Sequence, residues 1–117
     1  MDRLLVIENR GALLGSEDDA RDLIQQTFGT PIDTVAVPTE RLDPDFFVLR
    51  TGVAGAFVQK LAQYRLRLVV VGDVTAPIAA SDAFRDWVRE VNRGQDIWFV
   101  DNIDELTARL ETAPPHR

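Results

Sequence analysis

Few residues in this 117-residue chain could do chemistry, and most of those lie between Glu40 and Asp73. Thr51 is the sharpest. It follows Arg50, precedes Gly52 and stands where a helix is expected to begin. Its hydroxyl would therefore sit beside free backbone N–H groups at the positive end of a helix dipole, a setting that stabilises phosphate. Phosphorylation there would add up to about −2 of charge to a surface suited to a partner. A threonine in that place is equally a plain N-cap, worth roughly 1 kcal/mol.

The second group is acidic. Each main apolar run is followed by polar residues: Glu8-Asn9, Thr39-Glu40, Gly72-Asp73 and Asp101-Asn102. In a parallel α/β sheet these would share the end where ligands bind. Grouped carboxylates could hold a hard cation such as Mg²⁺ with a phosphate ester. The same residue types are also what turns and caps use, which explains them without a site. A phosphoacceptor receiver domain would want a lysine after a late strand, whereas the sole lysine, Lys60, lies mid-helix.

The third group is Asp43-Pro44-Asp45-Phe46-Phe47. At least one phenylalanine is expected to plug the core, leaving the other to anchor a partner. Arg85, Arg89 and Arg93 form a basic stripe at helical spacing. Asp82, Asp86 and Glu90 lie three or four residues from them, as in the ion pairs of a solvated face. Trp87 and Trp98 fall in apolar surroundings and read as core. His116 is the only histidine, and the two serines, Ser16 and Ser81, both precede helices. No nucleophile elbow, P-loop or dinucleotide fingerprint is present, and Thr51-Gly52 with Gly55 makes only a weak phosphate signal. Catalytic residues, metal ligands and cofactors are therefore expected to be none.

Composition narrows the class. The chain has no cysteine, which excludes disulfides and thiol chemistry and fits a reducing compartment. Its net charge of −6, from 19 acidic and 13 basic residues, argues against generic nucleic-acid binding. The longest apolar run, Leu68 to Val71, is too short to span a bilayer, and the start lacks a signal peptide's pattern. A cytoplasmic protein is expected, with no membrane and no nucleic acid among its partners.

The elements that must position these residues follow from patterning. Apolar runs at residues 3–8, 33–37, 66–71 and 97–100 read as strands, the third and fourth buried on both faces. Ala12-Leu13-Leu14 reads as a short second strand folding back as a hairpin. Ser16, Thr51, Ser81 and Asp101 or Asn102 are expected to cap four helices, with Gly29 and Gly94 as stops. Gly52 and Gly55 would let the second helix start close against a neighbouring backbone. The expectation is one α/β domain over residues 1–112 with a disordered tail at 113–117. Its single-layer, mostly parallel or mixed sheet would have four or five strands and about four helices. The hairpin favours a mixed sheet of the STAS type (sulfate transporter and anti-sigma-factor antagonist); a flavodoxin-like order is the alternative.

The pieces LDPDFFVLRTGVAGAFVQKLAQYRLRLVVVGD and RDWVREVNRGQDIWFV also carry a resemblance. With their D-P-D-F-F, R-T-G-x-A-G and N-R-G motifs they look like the small bacterial family called domain of unknown function 4180. The resemblance spans almost the whole chain and implies a stand-alone, STAS-like α/β protein with no assigned activity or site residues. Within the STAS analogy, Thr51 resembles the phosphorylatable hydroxyl at a helix start. The usual Asp-Ser pair is missing, and a Pro-containing insertion precedes Thr51.

Together these readings predict a non-enzymatic regulatory or protein-interaction module working through the loop and helix start at residues 39–55. Its binding residues would be Glu40, Asp43, Asp45, Phe46, Phe47, Arg50, Thr51, Gly52 and Asp73. A small-ligand or phosphate-binding protein, possibly an enzyme, at the strand ends is the alternative. An unknown protein partner is expected, and a homodimer is a further option.

Overall fold

The computed structural model describes residues 2–116. Four strands form one sheet: β1 (Leu4–Val6), β2 (Thr34–Pro38), β3 (Arg67–Val71) and β4 (Ile97–Val100). They lie in the order β1-β2-β3-β4 and every pairing is parallel. Five α-helices accompany them: α1 (Glu17–Thr27), α2 (Val53–Gln63), α3 (Thr75–Ala80), α4 (Asp82–Val91) and α5 (Ile103–Thr112). Among the described residues no helix is long and apolar enough to cross a membrane.

The strand order decides where the helices go. Right-handed crossovers between neighbours taken in sequence put each connecting helix on the same face. Packing follows this rule. Val35, Val37, Leu68, Val70, Ile97 and Phe99 meet Ala20, Leu23 and Ile24 of α1, Ala54, Phe57 and Leu61 of α2, and Phe84 and Val88 of α4. The alternate residues Ala36, Val69, Trp98 and Val100 face the other way, onto Leu106 and Leu110 of α5.

The expected hairpin does not form. Leu14 instead makes a parallel bridge to Leu42, its N–H donating to the Arg41 carbonyl at 2.7 Å. Arg41 explains the path. Its guanidinium donates to the carbonyls of Glu8, Arg10 and Ala12, which bends residues 8–12 away from β1. The sheet is thus parallel throughout, and the strand that argued for a mixed sheet is absent.

Helix starts follow the sequence at three places. Ser16 and Asp19 form a reciprocal capping box on α1, Ser81 caps α4, and Asn102 caps α5. Burial pushes the Asp19 carboxyl up, but N–H donors from Gly15 and Ser16 and the Ser16 hydroxyl outweigh it, leaving a net fall. Helix α3 was not expected. Asp73 starts it by accepting from the Thr75 N–H and hydroxyl, and Pro77 sits in its first turn, where a missing N–H costs little.

At the opposite end of the sheet, charged groups tie Arg3 to residues 110–116. Arg3 donates to both Asp33 oxygens, at 3.1 and 2.9 Å, and to the carbonyls of Leu110, Ala113 and Pro114. His116 donates its backbone N–H to Asp33, and its ring nitrogens lie 2.9 Å from the Arg65 carbonyl and 2.8 Å from Asp96. Beneath them Arg67 is fully buried with neutral hydrogen-bond partners, Gln95 and Thr34. Its guanidinium and that of Arg109 lie 4.2 and 4.0 Å from the Trp98 ring centre.

The two sheet edges differ. On β4 the outward N–H of Phe99 donates to the Asn92 side chain at 2.7 Å, and that of Asp101 to Glu105 at 3.1 Å. On the other side β1 pairs with β2 alone.

Candidate functional site: a groove beside the 44–50 turn

The connection leaving β2 is wound into three short 3-10 turns, Thr39–Arg41, Pro44–Phe47 and Leu49–Thr51. Local chemistry fixes their shape. Asp43 accepts from the Asp45 N–H at 2.9 Å, and Pro44 presets the first backbone angle. Thr51 Oγ1 lies 2.8 Å from both the Asp45 and Val48 carbonyls, which share its proton, and accepts from the Val53 N–H at 3.2 Å. Gly52, not Thr51, is the N-cap of α2, at φ +78° with no side-chain cap. That left-handed turn is why a glycine is needed there. Gly55 faces open space, so the expected close approach of a backbone is not made.

Phe46 is the expected core plug, and its full burial takes it out of the binding residues named from sequence. Phe46 is fully buried, its ring centre 5.5 Å from Phe47, 6.3 Å from Phe57 and 6.4 Å from Trp87. Phe47 is half-buried and leans edge-on against Phe84 at 6.0 Å. Its outer side lines a groove of about 560 Å³, within the range of small-ligand sites. Pro44, Phe47, Val48, Leu49 and Arg50 form one wall; Ala76, Pro77, Ala80, Ser81 and Ala83 form the other. The groove is thus built by the connections leaving β2 and β3, beyond their carboxyl ends.

Of the residues singled out from sequence, Phe47 and Arg50 line this groove. Asp43, Thr51 and Gly52 shape the turn that presents them, and Asp45 lies exposed within it. Glu40 is exposed in the first 3-10 turn, away from the lining. Asp73 is occupied by Thr75 just before α3; hydrogen bonds from the Thr75 hydroxyl and then its N–H hold its carboxyl below the ordinary value. Among the described residues no three His, Asp or Glu side chains group as a metal site. The strand order also never reverses, so the crevice that a reversal opens in doubly wound sheets is not made.

The α3–α4 wall escaped the sequence reading. Its signal is the small-residue run Thr75–Ala80, TAPIAA, whose short side chains leave the volume that the 44–50 turn overhangs. Charges around the groove are mostly satisfied: Asp82 pairs with Arg85 at 3.2 Å, and Arg85 also reaches Asp86 at 3.3 Å. Arg50 is exposed, and among the described residues its guanidinium makes no hydrogen bond or ion pair. Trp98 is core, its indole N–H donating to the Gly94 carbonyl at 2.8 Å.

Searches of curated proteins and of solved structures find no match. A family model described as "Domain of unknown function (DUF4180)" matches residues 1–110. That match covers nearly the whole chain, including the turn, the groove and every strand, and the protein therefore belongs to the DUF4180 family.

Proposed function

We propose that this protein is a non-enzymatic, STAS-like regulatory module that binds a protein partner through the 39–55 loop and the groove beside it. The observation that carries the reading is the division of labour within one loop. Phe46 and the Thr51 hydrogen bonds pin the turn, while Phe47 and Arg50 stand at an apolar groove. A preorganised turn spends little entropy on binding, and arginine is among the residues enriched where protein contacts carry most of their energy. Fold likeness adds nothing to this by itself.

The test is comparative capture. Wild-type protein, Phe47→Ala, Arg50→Glu and an α1 control, Arg21→Ala, are immobilised and exposed to the source cell extract. A partner held by wild type and the control but lost from both loop variants supports the reading. A partner retained by both loop variants sinks it. The phosphothreonine idea is tested in the same format with Thr51→Glu; a hydroxyl bonded to two carbonyls must first release them, so a change in partner is expected only if the turn reopens.

A further inference from the structure

We propose that the groove also binds a small apolar carboxylic acid, its hydrocarbon body between the 44–50 turn and α3 and its carboxylate at Arg50. This stands apart from the partner reading and rests on the groove's own chemistry. Eight of its ten lining residues are apolar: Pro44, Phe47, Val48, Leu49, Ala76, Pro77, Ala80 and Ala83 supply walls without hydrogen-bonding side chains. An occupant must therefore be mostly hydrocarbon.

The two polar members set its other end. Ser81 is neutral and held at the start of α4, its hydroxyl accepting from the Phe84 N–H at 3.1 Å. Arg50 is the single charged lining residue and has no partner among the described residues. The neighbouring carboxylates do not compete for it within the groove: Asp43 accepts from the Asp45 N–H, Asp73 from Thr75, and Asp82 pairs with Arg85. Asp45 is exposed and lies outside the lining. A planar guanidinium with all its donors available matches a carboxylate two bonds at a time. The groove's volume suits a body of drug-like size, whereas the hollow at Gly72, Val74, Asn92 and Asp101, at about 190 Å³, falls below that range.

The experiment is calorimetric titration of the full chain with hexanoate, octanoate and decanoate at submillimolar concentration, and with 1-decanol. Amide shift mapping by NMR locates the site. Affinity is expected to rise by up to about fourfold per methylene as the chain fills the groove. Decanoate should outbind decanol by about threefold to fivefold, because the ion pair is partly exposed, and Arg50→Gln should erase that difference. Ala80→Trp, and independently the exposed Ala76→Trp, should fill the groove and abolish binding. Absence of decanoate binding would overturn the proposal. So would equal affinity for acid and alcohol, or shifts that map away from Phe47, Arg50 and Ala80. Each of those outcomes leaves the partner capture experiment standing on its own result.

Discussion

Replacing Phe46 by alanine separates what holds the turn from what the turn presents. Its ring has no solvent exposure and touches three aromatic rings, those of Phe47, Phe57 and Trp87, at centre distances of 5.5–6.4 Å. Removing a core phenylalanine costs about 3–5 kcal/mol as lost transfer energy plus an unfilled cavity. One wall of the cavity is the 44–50 turn, which is free to sag inward, so the low end near 3 kcal/mol is expected. Against a typical domain stability of about 5–15 kcal/mol that is a large fraction. For a chain of this size it corresponds to a fall in melting temperature of roughly 9–18 °C. Urea unfolding followed by tryptophan fluorescence should show a lower midpoint with an unchanged slope. Phe47→Ala, at a half-buried site, should lose no more than about 1.5 kcal/mol. A Phe46→Ala loss below 1 kcal/mol, or equal losses at both positions, would show that Phe46 is not the plug.

Further substitutions probe the scaffold. Asp33 is pushed up by burial but held down more strongly by Arg3, the His116 N–H and Thr34, so its folded value lies below the ordinary carboxylate range. A depressed folded value gives stability that is full above the unfolded value of about 3.9 and lost as pH falls through the folded one. Asp33→Asn should therefore cost about 1–3 kcal/mol at pH 7, less than a fully buried pair because Arg3 is partly exposed, and should flatten the wild type's acid loss in urea titrations from pH 6 to 3. Arg67→Met keeps the contact with Trp98 and removes a buried cation whose desolvation cost offsets its hydrogen bonds and its attraction to Asp33, so its thermal stability should stay within about 1 kcal/mol of wild type, whereas Arg67→Ala should lose about 2–4 kcal/mol. Gly72→Ala would place Cβ 2.6 Å from Thr39 Oγ1 at φ +137° and should cost about 1–3 kcal/mol by calorimetry; adding Thr39→Ala should recover the clash but not the backbone strain.

Patterns that a short stretch of chain decides alone were legible in the sequence. Runs such as Leu68–Val71 and Ile97–Val100 could only be buried strands, and Ser16, Ser81 and Asn102 had the chemistry and placement of caps. What depended on a distant partner was not legible. The fate of residues 12–14 was settled by Arg41, about thirty positions along the chain, whose donors gathered the carbonyls of Glu8, Arg10 and Ala12. Thr51 looked like a cap because its neighbours did, but its hydroxyl went to the carbonyls of the turn before it and Gly52 took the cap position. The groove shows the same limit. Phe47 and Arg50 stood out by residue type, whereas the alanines opposite them matter through the space they leave, which only the packed chain defines.

The unequal sheet edges carry a consequence for self-association. A sheet that grows by adding copies needs two receptive edges on every copy, one to give and one to take. Here the β4 edge is stopped, with the Phe99 and Asp101 N–H groups already held by Asn92 and Glu105. Strand-to-strand joining is left with β1, and two copies meeting through β1 would each use up the other's open edge. Such contact ends at a closed pair, so the fold tolerates a bare strand at its rim without offering a template for fibres.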